Sequence, residues 1–168
     1  RPPRSTLFPY TTLFRSPMVS RPHEVDNVCS VEEIDKDVRI DQAYIGSCTG
    51  GRYYDLLEAA RLLKGKKVKE GVRLLVSPAS KKTWDRAAKD GILSTLSEAG
   101  AIVMAPTCGV CVGLHSGILA DGEACISSTN RNFLGRMGSK KAFVYLGSPL
   151  TTAAAAIEGK IVDPREYL

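Results

Sequence analysis

Short apolar runs alternate with helical patterns along most of this chain. From about Val38, five runs rich in apolar and β-branched residues predict strands, over 40–48, 72–78, 101–106, 123–129 and 141–149. Apolar residues at helical spacing predict helices over 53–66, 81–100 and 150–159, with a break at Gly91. Strands that alternate with helices favour an α/β fold: a three-layer domain with a mostly parallel sheet of about five strands.

The first 37 residues do not share this alternation. Residues 1–17 contain the tripeptide Thr-Leu-Phe twice and four prolines, without a lasting period. We interpret them as translated adapter sequence, with a disordered basic arm as the alternative. Residues 18–37 are expected to form a lead-in segment, and residues 38–168 the α/β domain. Because the first residue is Arg rather than Met, we expect the chain to be a fragment.

Composition narrows the classes of function. The 168 residues, 43% of them hydrophobic, suit one soluble domain, and no apolar run approaches the roughly 20 residues of a membrane helix. The net charge is +5, but four Arg and no acid within 1–21 account for most of it, which disfavours a nucleic-acid partner. Five cysteines without a visible secretory signal predict free thiols in a reducing, cytoplasmic compartment.

Most of the candidate chemistry follows the predicted strands at their carboxyl ends. Open α/β sheets bind ligands beyond these ends. Cys48 follows the first predicted strand, and the C-x-x-C pair of Cys108 and Cys111 follows the third. A glycine-containing loop with Arg131 and Arg136 follows the fourth. Three thiols and two arginines are therefore predicted to share one rim of the sheet.

The C-x-x-C pair by itself admits four interpretations. It is found in redox dithiols, zinc sites, iron–sulfur sites and purely structural pairs. A dithiol does not account for Cys48, and a structural zinc ion would need a fourth ligand such as Cys125 or His115. Three thiolates on an iron–sulfur cluster would leave one iron open to substrate. The arginines suit a di- or tricarboxylate, or are ordinary surface residues.

Five motifs in this order resemble the aconitase superfamily. They are, along the chain, IGSCTGGRYYDLLEAARLLKGKKV, CGVCVG, STNRNFLGRMG, YLGSP and GKIVDPREYL. Within that superfamily the chain is most similar to the large subunits of the 3-isopropylmalate dehydratase and homoaconitase branch. The likeness runs from about Pro22 to Leu168.

The resemblance implies an iron–sulfur hydro-lyase that isomerises a small hydroxy di- or tricarboxylic acid by dehydration and rehydration, in leucine biosynthesis. The residues that match the ligands of the family's 4Fe–4S cluster are Cys48, Cys108 and Cys111. The residues that match its substrate-binding positions are Asn130, Arg131 and Arg136. It further implies a partner, a small subunit that carries the swivelling domain; neither nucleic acid nor membrane is expected.

Two departures from the family pattern bear on this expectation. Position 50 is Gly where the family has Asn. The chain resembles only the C-terminal part of a large subunit, without the N-terminal domains and the swivelling domain. We therefore nominate no general base in this chain and expect it to be inactive alone. The alternative function is a non-catalytic metal-binding or C-x-x-C redox module.

Overall fold

A seven-stranded sheet organises residues 16–168, which are the residues that the computed structural model describes. In chain order its strands are β1 (Met18–Ser20), β2 (Val28–Ser30), β3 (Gln42–Gly46), β4 (Arg73–Ser77), β5 (Ile102–Val103), β6 (Ala124–Ser127) and β7 (Phe143–Leu146). Their order across the sheet is β2-β1-β7-β6-β3-β4-β5. The interpretation of residues 1–17 falls almost wholly outside the described residues.

The five strands from β7 to β5 are parallel to one another, which confirms the predicted mostly parallel α/β sheet. They are the five strands that the sequence predicted. β1 pairs antiparallel with β2 and with β7, and these two additional strands were not predicted. Each has only three residues, which is too short to show an alternating pattern.

The helices lie between the parallel strands and after the last one. Those in residues 16–168 are α1 (Ser47–Gly50), α2 (Tyr53–Leu63), α3 (Lys81–Lys89), α4 (Ile92–Glu98) and α5 (Pro149–Glu158). Gly91, with φ 74°, separates α3 from α4, as the sequence predicted. Ser148 caps α5 by accepting a hydrogen bond from the Thr151 N–H over 3.1 Å. None of the described helices has the length and apolar character that crossing a membrane requires.

The sheet separates two apolar cores. Helices α2, α4 and α5 cover one face, where Ala43 and Ile45 of β3 are buried. Irregular chain before and after β6 covers the other face, over Tyr44, Leu75 and Cys125. This division follows from the strand geometry, because successive side chains of a strand point to opposite faces. The three layers are thus helices, sheet and a loop layer, and the loop layer carries the C-x-x-C pair.

The strand order reverses between β3 and β6. The chain places β4 and β5 on one side of β3, and then returns to place β6 and β7 on the other side. Such a reversal opens a crevice beyond the carboxyl ends of the two central strands, where α/β proteins bind ligands. The strands that border this crevice end at Gly46 and Ser127.

A polar network ties the loop layer to the sheet. The amide of Gln42, buried on β3, donates to the Gly117 carbonyl over 2.8 Å and accepts from Arg73 Nε over 3.1 Å. The terminal nitrogens of Arg73 donate to the two carboxylate oxygens of Glu123 over 2.8 and 2.9 Å. Gly117 has φ 85°, and a Cβ there would lie 2.2 Å from Leu75 Cδ1. A side chain at position 117 would therefore strain the backbone and displace Leu75, which favours glycine at this close approach.

We expect acid to weaken this network through Glu123. Hydrogen bonds from Arg73 lower the pKa of the Glu123 carboxyl below its ordinary value. The ionised Glu123 carboxyl therefore stabilises the fold at pH values above its pKa in the unfolded chain. This stabilisation is lost as the pH falls through the lowered pKa of the folded state. Glu123→Gln should lower the free energy of unfolding by about 0.5–1 kcal/mol near neutral pH, because the pair is partly exposed. Urea unfolding should show this difference shrinking below about pH 4; a pH-independent difference would contradict the expectation.

Candidate functional site

The first cysteine lies in a tight turn directly after β3. Ser47 has a left-handed backbone, with φ 62°, and its Oγ is buried without a hydrogen-bond partner among the described residues. The hydroxyl of Ser128, just beyond β6, accepts from the Gly46 N–H over 3.1 Å and donates to the Gly50 carbonyl over 3.3 Å. Cys48, inside this turn, is exposed. The turn therefore presents its thiol to solvent from the mouth of the crevice.

The other two cysteines lie at a 3-10 turn of the loop layer. The turn spans Gly109–Val112 and begins directly after Cys108. The Cys111 N–H donates to the Cys108 carbonyl over 2.9 Å, which closes the C-x-x-C segment. Cys108 is exposed and Cys111 is buried. Gly113 ends the turn with φ 70°, and a Cβ there would lie 3.1 Å from the Arg136 carbonyl.

Two buried hydroxyls support the chain that leads into this turn. The Ser77 hydroxyl, at the end of β4, lies 3.1 Å from the Ala105 carbonyl and 2.9 Å from the Thr107 carbonyl, and accepts from the Thr107 N–H over 3.2 Å. The Tyr44 hydroxyl donates to the Cys108 carbonyl over 3.3 Å. Both side chains begin on neighbouring parallel strands, so the sheet itself sets the position of Cys108.

The Tyr44 hydroxyl is buried beneath the Cys108–Cys111 loop, and this burial affects its pKa. Burial raises the pKa of the hydroxyl, a hydrogen bond with Ser77 opposes that rise, and the thiolates of Cys111, Cys108 and Cys48 add to it. The approach of the three sulfurs to within about 7 Å, the reach of one cubane cluster, stays a prediction.

The residues considered as a fourth zinc ligand lie elsewhere or have other contacts. Cys125 is fully buried on β6, where burial raises its pKa to about 12, and the Gln42 amide lies 3.9 Å from its sulfur. His115 is exposed, with Nε2 3.3 Å from the Thr107 hydroxyl. Cys29 is buried on β2. Within residues 16–168, no three His, Cys, Asp or Glu side chains stand close enough to share one metal ion.

Arg136, predicted to bind substrate, also contacts the cysteine loop. Its Nε donates to the Cys111 carbonyl over 2.7 Å. A guanidinium carries five N–H donors, four of them on the two terminal nitrogens, so a carboxylate can still be bound while Nε holds the carbonyl. The sequence did not predict this contact, which couples the position of the arginine to that of Cys111.

The two asparagines of the Asn-Arg-Asn segment have opposite environments. Asn130 and Arg131 are exposed on the rim. Asn132 is fully buried, and its amide nitrogen lies within hydrogen-bonding distance of the Ser20 hydroxyl (3.2 Å), the Arg21 carbonyl (2.7 Å) and the Val144 carbonyl (3.2 Å). Asn132 therefore anchors the loop to β1 and β7, while the two residues before it remain at the surface.

Glycine at position 50, where the resembling family has asparagine, has a steric reason in this chain. A Cβ at Gly50 would lie 2.1 Å from the hydroxyl oxygen of Ser128 and 2.4 Å from its carbonyl oxygen. Ser128 occupies the space that a side chain at position 50 would need. In this chain the hydroxyl of Ser128, just beyond β6, therefore packs against the turn at the place where the family pattern has an asparagine side chain.

Sequence reasoning found the thiols and arginines but missed the polar residues that support them. These are Tyr44, Ser47, Ser77, Ser128 and Asn132. Of these, Ser77 at the end of β4 and Ser128 just beyond β6 could have been predicted from the sequence. A serine at the buried carboxyl end of a parallel strand must find a hydrogen-bond partner on the rim. In the sequence Tyr44 has the pattern of an ordinary buried strand residue. None of the residues next to it in the sequence indicates its contact with Cys108.

Comparison with known proteins gives the chain a clear set of relatives. The model of the aconitase family (aconitate hydratase) matches residues 16–159. The chain is 55% identical over 152 residues to 3-isopropylmalate dehydratase large subunit 2 of Archaeoglobus fulgidus, and 53% identical over 152 residues to large subunit 1 of Methanopyrus kandleri. Both alignments cover 90% of this chain and 36% of the relative. The large subunit of Clostridioides difficile is 53% identical over 150 residues, covering 89% and 35%. The chain thus spans about a third of the length of the curated relatives it matches.

Proposed function

The chain belongs to the aconitase family, and from that premise we propose that it is the cluster-binding part of an iron–sulfur hydro-lyase. The reaction would be the dehydration and rehydration of a small hydroxy di- or tricarboxylic acid. The relatives are named 3-isopropylmalate dehydratases, which makes 3-isopropylmalate the first substrate to test. The observation that carries the proposal is the placement of the Cys48 turn directly after β3 and of the Cys108–Cys111 loop against Ser77 and Tyr44, beside the crevice between β3 and β6.

The donor set suits the cofactor of this family. Cys48, Cys108 and Cys111 would hold a 4Fe–4S cluster, which with three thiolate ligands keeps one iron open as a Lewis acid for a substrate hydroxyl and carboxylate. Two of the three thiols are exposed, as ligands that must meet a group outside the protein core need to be. The unpartnered, buried Ser47 hydroxyl adds a polar atom next to Cys48 that the described residues leave unsatisfied.

The arginines and Asn130 would bind the substrate at the rim. Arg136 presents its terminal nitrogens while Nε holds the Cys111 carbonyl, so a bound carboxylate would be fixed relative to the cysteine loop. A charged, bidentate contact of this kind contributes on the order of 1.5–3 kcal/mol. Arg131 and Asn130 are exposed at the start of the same loop. Two guanidinium groups would also stabilise the negative charge that develops when a proton leaves the carbon next to a carboxylate.

We propose that the complete site draws on regions of the relatives that lie outside the part matched by this chain. The relatives extend well beyond the 36% of their length that this chain matches, and they are named large subunits. We propose that those regions and a small subunit with the swivelling domain supply the general base and close the site. The chain alone would then bind the cluster without turning over substrate. Action on 3-isopropylmalate would place the enzyme in leucine biosynthesis, in the cytoplasm.

Anaerobic reconstitution with iron and sulfide tests this function. We expect a brown protein that absorbs near about 400 nm and holds about four irons per chain. A full-length relative, reconstituted in parallel, controls for a cluster that is unstable without the remaining domains. Colourless protein that binds one zinc ion, while the full-length control turns brown, would support the alternative of a C-x-x-C metal-binding or redox module.

A further inference from the structure

The turn that carries Cys48 depends on contacts from outside itself. Its own backbone closes with a hydrogen bond from the Gly51 N–H to the Ser47 carbonyl, 3.1 Å long. Ser47 has the left-handed φ of 62°, which costs free energy for a residue with a side chain. A helix of four residues also has too few hydrogen bonds to be stable alone. The neighbouring strands must therefore hold the turn in place.

Ser128 provides the side-chain part of that support. Its N–H donates to the Tyr44 carbonyl over 2.9 Å, continuing the pairing of β3 with β6, so its side chain starts from a fixed backbone. The residue is 6% exposed. Its hydroxyl binds the Gly46 N–H on one side of Cys48 and the Gly50 carbonyl on the other. Among the side chains of residues 16–168, that of Ser128 is the one that hydrogen-bonds this turn from another element.

We propose that Ser128 is a positioning residue for Cys48: it fixes the turn that presents this thiol at the mouth of the crevice. Loss of the hydroxyl would leave a buried N–H and a buried carbonyl of the turn without partners, and Ser47 could then leave its left-handed conformation. Gly50 belongs to the same arrangement, because Ser128 fills the space beside it. The role in holding a cluster rests on the proposed function, whereas the position of the turn can be measured without any metal.

An isosteric pair of variants, Ser128→Thr and Ser128→Val, isolates the hydroxyl. The two side chains have the same shape, and only Thr can bind the turn. In metal-free protein we expect hydrogen exchange of the amides at 46–51 to be about tenfold faster in Ser128→Val than in Ser128→Thr. The alkylation rate of Cys48 relative to Cys108, measured by peptide mass spectrometry, should change at least about threefold in the Val variant and stay near wild type in the Thr variant. Ser128→Ala, which adds no volume, should behave like Ser128→Val.

Ser127→Ala is the matched control for a general loss of stability. Ser127 is as buried as its neighbour, but its hydroxyl pairs with the Thr129 hydroxyl over 2.9 Å and does not contact the turn. The Ser127→Ala substitution should destabilise the protein but leave hydrogen exchange of the amides at 46–51 and the alkylation rate of Cys48 unchanged. Equal behaviour of the Thr and Val variants, or the same local changes in Ser127→Ala, would overturn the proposed role of Ser128.

Iron content after reconstitution separates this inference from the proposed function. The proposed function and the positioning role are both supported if wild type and Ser128→Thr reach about four irons per chain and Ser128→Val falls below half of that value. If wild type stays colourless and binds one zinc ion while the full-length control turns brown, and the exchange and alkylation patterns are as expected, the positioning role stands and the proposed function is wrong. If all variants load equally and exchange equally, the function stands and the positioning role is wrong.

Discussion

Replacing any one of Cys48, Cys108 and Cys111 by serine is expected to reduce iron loading of the reconstituted protein to less than about a tenth of the wild-type value. Iron–sulfur clusters are held by thiolates, and a serine hydroxyl does not ionise near neutral pH. With the proposed set of three ligands, each substitution would leave only two, which would not hold a cluster against solvent. Iron content per chain and the absorbance near about 400 nm measure the effect.

The remaining two cysteines provide controls within the same chain. Cys29 and Cys125 are buried on β2 and β6, away from the rim. Cys29→Ser and Cys125→Ser should keep iron loading near wild type, although a buried hydroxyl in place of a thiol lowers thermal stability. If Cys108→Ser and Cys111→Ser abolish metal binding but Cys48→Ser does not, the C-x-x-C pair acts alone, and the module without a cluster becomes the better account.

The part of the fold that sequence reasoning predicted is the part with long, regular patterns. The three central strands β3, β4 and β6 are buried on both faces almost throughout, which gives them short, mostly apolar runs, and α2 shows apolar residues at helical spacing. β1 and β2 were missed because the pairing of three residues depends on the edge offered by β7 and not on their own pattern. The loop layer has no period at all, since glycine positions such as Gly117 and single anchors such as Gln42 hold it in place.

The candidate site divides in the same way. Cysteines are few in this chain, and two arginines lie in one glycine-containing loop, so their positions after the predicted strands could be inferred directly from the sequence. The hydrogen bonds that orient them join residues far apart along the chain: Tyr44 to Cys108, and Arg136 to Cys111. No local pattern predicts such pairs, because the fold brings them together only after the sheet has formed. The contacts of the Ser128 hydroxyl with Gly46 and Gly50 are also of this long-range kind.

The contact between Arg136 and the Cys111 carbonyl sharpens what Arg136→Lys should do in the complete enzyme. A lysine has a single ammonium group, so it cannot hold this carbonyl and fork a substrate carboxylate at the same time. We expect kcat/KM to fall at least about tenfold, the loss of a charged contact of roughly 1.5 kcal/mol or more. Arg131→Lys is the comparison on the same loop, since the described contact of Arg131 is with the Phe133 ring, 5.9 Å from its guanidinium carbon.

Iron content then tells which contact of Arg136 matters for the rate. If Arg136→Lys keeps the wild-type iron content while kcat/KM falls, the terminal nitrogens act on the substrate, as the family resemblance implies. If iron is lost in parallel with activity, the hydrogen bond to Cys111 is the dominant contribution, because a displaced carbonyl moves the thiol of the same residue. An unchanged rate with unchanged iron would remove Arg136 from the substrate site. The hydrogen bond to the Cys111 carbonyl uses only Nε of Arg136, so we expect the rate to fall more than the iron content.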